Sequence, residues 1–243
     1  MIEARGLAKR FGSQVAVADV SFVARDGRIT GLLGPNGAGK STTLRMLSTV
    51  LRPDAGVALI DGTDAAADPL GARRRIGVLS HQSGLYPHLT ARENIAYFGE
   101  LHGLSRIERE RRADELIELL DLAGCARRPA KGFSQGQRLK TALARALVHA
   151  PRNVVLDEPT NGLDVMAVRS LRALLDRLRA AGHCVLFSSH VMQEVAALCD
   201  DVVVIARGTV VAAGTPQQIL EASGEQGLEN AFVRLIGSEE GLE

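Results

Sequence analysis

Gly34-Pro35-Asn36-Gly37-Ala38-Gly39-Lys40-Ser41 sets glycines, a lysine and a hydroxyl at the spacing G-x-x-x-x-G-K-[ST], between the apolar run ITGLL and the helix-forming run TLRML. Glycines at this spacing let a backbone fold around phosphate oxygens, with N–H groups and a helix dipole aimed inward. Lys40 then reaches the β- and γ-phosphates, and Ser41 offers its hydroxyl to Mg²⁺. A second apolar run, Val154-Val155-Leu156, ends on the adjacent carboxylates Asp157 and Glu158. Asp157 is placed to hold the hydrated Mg²⁺, and Glu158 to act on an attacking water as general base. A third run, VLFSSH, ends on His190, which reads as a sensor of the γ-phosphate.

Such residues meet only if their strands lie side by side and point the same way, because the carboxyl ends of parallel strands open on the ligand crevice. The sequence predicts that arrangement. The first 30 or so residues alternate apolar and polar positions (VAVADVSFVARDG), with a turn at Asp26-Gly27, as antiparallel strands do. VALIDG, RRRIGVLS, NVVLDE, HCVLFSSH and DVVVIARG read as further strands, the later ones separated by helical runs such as VMAVRSLRALLDRLRAAG. From about Thr90 to Ala150 the pattern is mostly helical, including the charged run SRIERERRADELIELLDLAG, which reads as a solvated face. The expected fold class is α/β: a mostly parallel sheet flanked by helices, antiparallel N-terminal strands, and an inserted helical subdomain. We read one domain over 1–243, with core segments 1–89 and 151–220, a helical subdomain over 90–150, and a helical tail over 221–243 whose apolar positions are Leu228, Phe232, Leu235 and Ile236.

Composition narrows the possibilities. The 243 residues are 46% hydrophobic and 23% charged, with a formal charge of +1. That balance lacks the basic field that drives non-specific nucleic-acid binding. Cys125, Cys184 and Cys199 have no metal-ligand spacing and read as buried, reduced thiols. The start MIEARGLAKR carries no apolar leader, and runs such as VVVIA are too short to span a bilayer.

In order and spacing these motifs resemble the ATP-binding subunit of ABC transporters, over nearly the whole chain. LLGPNGAGKSTT, which includes Thr42, is similar to the family's phosphate loop, VVLDEPTNGLD to its acidic strand with the following D-loop, and FSSH to its switch-histidine segment. The resemblance implies that Phe11 stacks on adenine with Val17 packed nearby, and that Asp164 faces a partner subunit. FSQGQ (133–137) read alone is a helix N-terminus, but it falls where this family places its signature loop, usually LSGGQ. That implies a head-to-tail dimer holding two ATP molecules, each between one subunit's phosphate loop and the other's signature loop. Ser134 would donate to a γ-phosphate oxygen, Gly136 would let backbone N–H approach, and Gln137 would complete the loop. Gln135 takes the place of the first glycine and must turn its side chain away from the nucleotide. The family also places a glutamine after the strand RRRIGVLS, where His81 keeps the register and Gln82 is one residue late. Gln82 is the assigned Mg²⁺ ligand, because an amide oxygen suits a hard cation better than imidazole does.

GLYPHLTARENIAYFGELHGL and the terminal GLENAFVRLIG resemble the sodium-export and drug-export (ABC-2 type) branch, whose permeases are separate membrane proteins. The implied protein is a motor subunit using ATP and Mg²⁺, a homodimer with a second ATP-binding subunit, peripheral on the cytoplasmic face of the cell membrane and paired with a membrane-spanning permease. Transported substrate is then a property of that permease. Two other classes compete. A non-transport ABC ATPase acting on DNA or ribosomes would bring a heptad insert or a second ATPase domain, and neither is seen. A P-loop kinase of small metabolites would leave the D-loop, the signature-like stretch and His190 without a use.

Overall fold

The computed structural model describes residues 1–80, 84–225 and 227–237. Strand β1 (Ile2–Phe11) turns through Gly12 and Ser13 into β2 (Gln14–Ala24), and the two pair antiparallel. The reversal therefore falls there, where Gly12 takes φ 58°. Asp26-Gly27 is also a turn, but it hands the chain to β3 (Ile29–Leu33) elsewhere in the sheet. All five residues of β3 are buried, as expected of a strand covered on both faces. Helix α1 (Lys40–Leu47) follows, then β4 (Ala55–Ile60), β5 (Thr63–Asp64), α2 (Pro69–Arg75) and β6 (Ile76–Leu79). The helical middle holds α3 (Ala91–Leu101), α4 (Arg106–Leu119) and α5 (Gln135–Leu147). The chain returns to the sheet with β7 (Asn153–Asp157), α6 (Val165–Ala180), β8 (Cys184–Ser189), α7 (Met192–Leu198), β9 (Asp201–Ala206) and β10 (Thr209–Gly214), and ends in α8 (Pro216–Ser223) and α9 (Leu228–Ile236).

The strands form one sheet in the order β5-β4-β1-β2-β10-β9-β3-β8-β7-β6. From β9 to β6 every pairing is parallel, whereas β1, β2, β4 and β5 pair antiparallel with one another, and β10 joins the two parts, parallel to β2 and antiparallel to β9. Neighbouring residues of the central strands serve opposite faces. Val154, Leu156 and Phe187 join a core shared with the middle helices, α6 and α7. Val155, Leu186 and Leu32 join a second core with β1, β2 and α1. Burying both faces fixes the register, since a one-residue slip would turn each apolar set to the wrong side.

Helices α3, α4, α5 and α8 each start on a capping box, with Thr90, Ser105, Ser134 and Thr215 as caps and Glu or Gln three residues on. FSQGQ is thus a true helix N-terminus, whatever else it does. Cys125, Cys184 and Cys199 are buried free thiols, and burial pushes the Cys184 thiol up to about 12.

Candidate nucleotide site

The order β3-β8-β7 brings three loop-bearing strand ends together. The phosphate loop leaves β3, His190 follows β8, and Glu158 follows β7. The loop's glycines are held by the chain itself. A Cβ on Gly34 would lie 2.3 Å from the Ile205 carbonyl oxygen. One on Gly39, at φ 105°, would lie 2.6 Å from that of Ala16. Gly37 has φ 79° but open space around it. Gly39 caps α1, so the first-turn N–H groups of that helix face the loop's concave side.

Lys40 is only 5% exposed, yet its ammonium is well partnered. It donates to the carbonyls of Gly34 (2.6 Å) and Pro35 (3.2 Å) and lies 3.7 Å from a Glu158 carboxylate oxygen. Burial pulls its pKa below the ordinary lysine value, against the opposing pull of the Glu158 and Asp157 carboxylates. Across the cleft, the Ser41 hydroxyl donates to Asp157 Oδ1 at 3.1 Å, and Ser188 Oγ donates to the same oxygen at 2.7 Å. Ser188 Oγ in turn accepts from the Glu158 N–H at 2.9 Å. Glu158 sits at φ 51°, an uncommon conformation for a side-chain-bearing residue, and one that concentrates at functional sites. Its other carboxylate oxygen meets His190 Nδ1 at 2.7 Å. Lys40, Ser41, Asp157, Glu158 and His190 therefore form one connected cluster. Ser188 belongs to it as well; its place at a strand end in FSSH is the signal for it.

Lys40, Ser41, Asp157 and Glu158 line a cleft of about 470 Å³, whose walls run from Phe11 through Pro35–Thr42 to Glu158. Its size suits a drug-sized or nucleotide-sized ligand. Phe11 stands half exposed at its rim, with the Lys9 ammonium 5.9 Å from the ring centroid. The expected contact from Val17 needs correction. Strand alternation turns Val17 inward, where it is fully buried under Gly39, and Gln14 and Ala16 line the cleft instead.

Ser134, Gly136, Gln137 and Asp164 do not line this cleft. Ser134 Oγ accepts from the Gln137 N–H at 3.2 Å, and Gln137 Oε1 accepts from the Ser134 N–H at 3.1 Å. The cap uses the serine's oxygen and leaves its O–H to donate elsewhere. Gly136 is helical, and a Cβ there would meet only the Ala167 Cβ, at 3.7 Å. Asp164 caps α6 by accepting from the Ala167 N–H at 2.7 Å. A second cleft, of about 490 Å³, lies between the start of α5 and residues 158–163, and it also reaches Asp157 and Glu158. His81 and Gln82, the alternatives for the coupling-loop ligand, lie outside the described residues.

Residues 17–161 match the family model described as ABC transporter. The chain is 42% identical over 219 residues to the ABC transporter ATP-binding protein NatA of Bacillus subtilis (strain 168), covering 90% of this chain and 89% of that one. It is 39% identical over 220 residues to the Nod factor export ATP-binding protein I of Ralstonia nicotianae (strain ATCC BAA-1114 / GMI1000), covering 90% and 68%. Among solved structures, it is similar to the dimeric post-hydrolysis state of the ATP-binding cassette MJ0796 bound to ADP and Pi. There the TM-score is 0.81 at 26% identity, covering 88% of this chain and 98% of that one.

Proposed function

The chain belongs to the ABC transporter family as an ATP-binding subunit, and from that membership we propose that two copies hydrolyse Mg-ATP head to tail to drive export through a separate membrane permease. The observation that supports the reading best is the meeting of Lys40, Ser41, Asp157 and Glu158 at one cleft. In phosphoryl transfer the protein mainly positions groups and offsets charge. Lys40 offsets charge on the β- and γ-phosphates. Glu158 orients the attacking water and takes its proton, and His190, 2.7 Å from that carboxylate, steadies it and the γ-phosphate. The donor set fits a magnesium ion: a hydroxyl and a carboxylate oxygen 3.1 Å apart, both hard ligands, so Ser41 and Asp157 would hold it. When bound, that ion supplies further charge neutralisation at the β- and γ-oxygens.

The signature segment acts on the partner copy's nucleotide. Ser134 has a hydroxyl proton to give, and Gly136 is a glycine that no neighbour in the chain requires. The exposed apolar pair Val165 and Met166, directly after Asp164, adds to the surface offered to a second copy. Among the described residues no helix is long and apolar enough to cross a membrane. The bilayer step therefore falls to the permease, which the chain would meet from the cytoplasmic face. The name of the Nod factor export relative favours export as the direction. In this reading 90–150 is the signature-bearing subdomain, set between core segments 1–89 and 151–220, with 221–243 as a tail.

The test is Glu158→Gln, which keeps the side-chain shape and removes the base. Steady-state ATPase should fall at least about 100-fold, the scale of a lost general base, while ATP still binds and the two-copy complex persists. Normal multiple turnover in the variant would overturn the assignment.

A further inference from the structure

Gln135 is the residue of FSQGQ to which the reading above gives no work. Its backbone is ordinary helix, with no need of positive φ. Its side chain leaves α5 and crosses to the loop after β7, where Nε2 donates to the Asn161 carbonyl at 2.9 Å. The fit is close. Gly162 stands at φ 70°, and a Cβ on it would lie 2.4 Å from that same Nε2. One residue along, Gly136 lies against Ala167 in the first turn of α6. The loop is tied on its other side too, because the Asn161 N–H donates to the Glu158 carbonyl at 3.2 Å. Hydrogen bonds thus run from the first turn of α5 through Asn161 to the backbone of Glu158, the residue held at φ 51°.

We propose that Gln135 is a positioning residue that ties the signature helix to the loop carrying Glu158 of the same chain. In a head-to-tail pair the signature helix serves one nucleotide and Glu158 the other. The tie therefore couples closure on the partner's nucleotide to the placing of the base over the chain's own. This consequence rests on the two-copy reading above, whereas the tie itself lies within one chain.

Three variants test it. Gln135→Glu keeps the shape but sets a carboxylate against the carbonyl. Gln135→Lys keeps an N–H donor of similar reach, and Gly162→Ala displaces the amide from the loop side. In hydrogen exchange on the chain without nucleotide, Gln135→Glu and Gly162→Ala should speed exchange at Asn161 and Leu163 about five-fold, the factor one hydrogen bond carries. Exchange in α1 should not change. In ATPase assays the same two variants should lower kcat about three- to ten-fold, with a smaller rise in half-saturating ATP and a Hill coefficient nearer one. Gln135→Lys should restore both readouts. Unchanged exchange in Gln135→Glu, unchanged kcat, or a lysine variant that fails like the glutamate one would each overturn the proposal. The exchange arm needs neither ATP nor a second copy, so it decides the tie even if the two-copy reading falls.

Discussion

The phosphate loop and the signature segment both open a helix and both depend on glycine, but their glycines answer to different neighbours. Gly34 and Gly39 are required from inside, since a methyl on either would strike a backbone carbonyl of the same chain at 2.3 or 2.6 Å. Gly136 is required by nothing inside, for a methyl there meets only another methyl at ordinary distance. Gly136 stands in the first turn of α5, where alanine is at least as good a helix former. On the proposed reading, the first loop is a receptor shaped by packing within its own chain, and the second is half of one that a partner copy completes.

That contrast predicts stability effects of very different size. Gly34→Ala should be the largest. The Ile205 carbonyl belongs to a buried strand and cannot move aside, so strain of about 3 kcal/mol or more should follow. A urea midpoint within the range of ordinary surface substitutions would break the contrast on the phosphate-loop side.

Acid should separate the two regions next. His149 follows α5, its ring stacked on His102 at 3.6 Å between centroids, with Nε2–H donating to the Ile76 carbonyl at 3.2 Å. Its Nδ1 is buried with no partner among the described residues. Burial, together with His102 and Arg112, lowers its pKa from 6.5 to about 4. The unfolded chain therefore takes up a proton that the folded chain refuses. The stability involved is intact above pH 6.5 and declines as pH falls toward 4, by about 3 kcal/mol at most. Hydrogen exchange across that window should show α5 loosening before α1. Equal loosening of both helices would mean that His149 does not act as the foot of the signature helix.

How much of this was open to the sequence follows from distance along the chain. Gly34 to Ser41, the Asp157-Glu158 pair and His190 are legible because each is a short run at a strand end, and parallel strands put such ends on one side. Other features depend on contacts between distant residues. Gln135 reaches Asn161 across 26 positions, and the His102–His149 stack joins the ends of two helices. Ser188 is marked in the sequence only by its place at the strand end in FSSH, and its partners follow once β8 sets it between Asp157 and the Glu158 N–H. Glu194 is similar, a helix residue that turns out to accept from both Thr160 (2.6 Å) and Ser189 (3.1 Å). Val17 was open to a correct reading by strand alternation, because Ala16 and Val17 must face opposite ways.

The smallest stability change is also the most decisive one. Gly136→Ala should be tested for unfolding midpoint and ATPase rate on the same preparation. With its glycine needed only from outside, the variant should be as stable as the parent or slightly more so, while turnover falls about 100-fold, the scale of losing one preorganised donor to the reacting phosphate. A stable variant with normal turnover would contradict a signature segment that works on a partner's nucleotide, and a variant that unfolds would contradict the contrast itself.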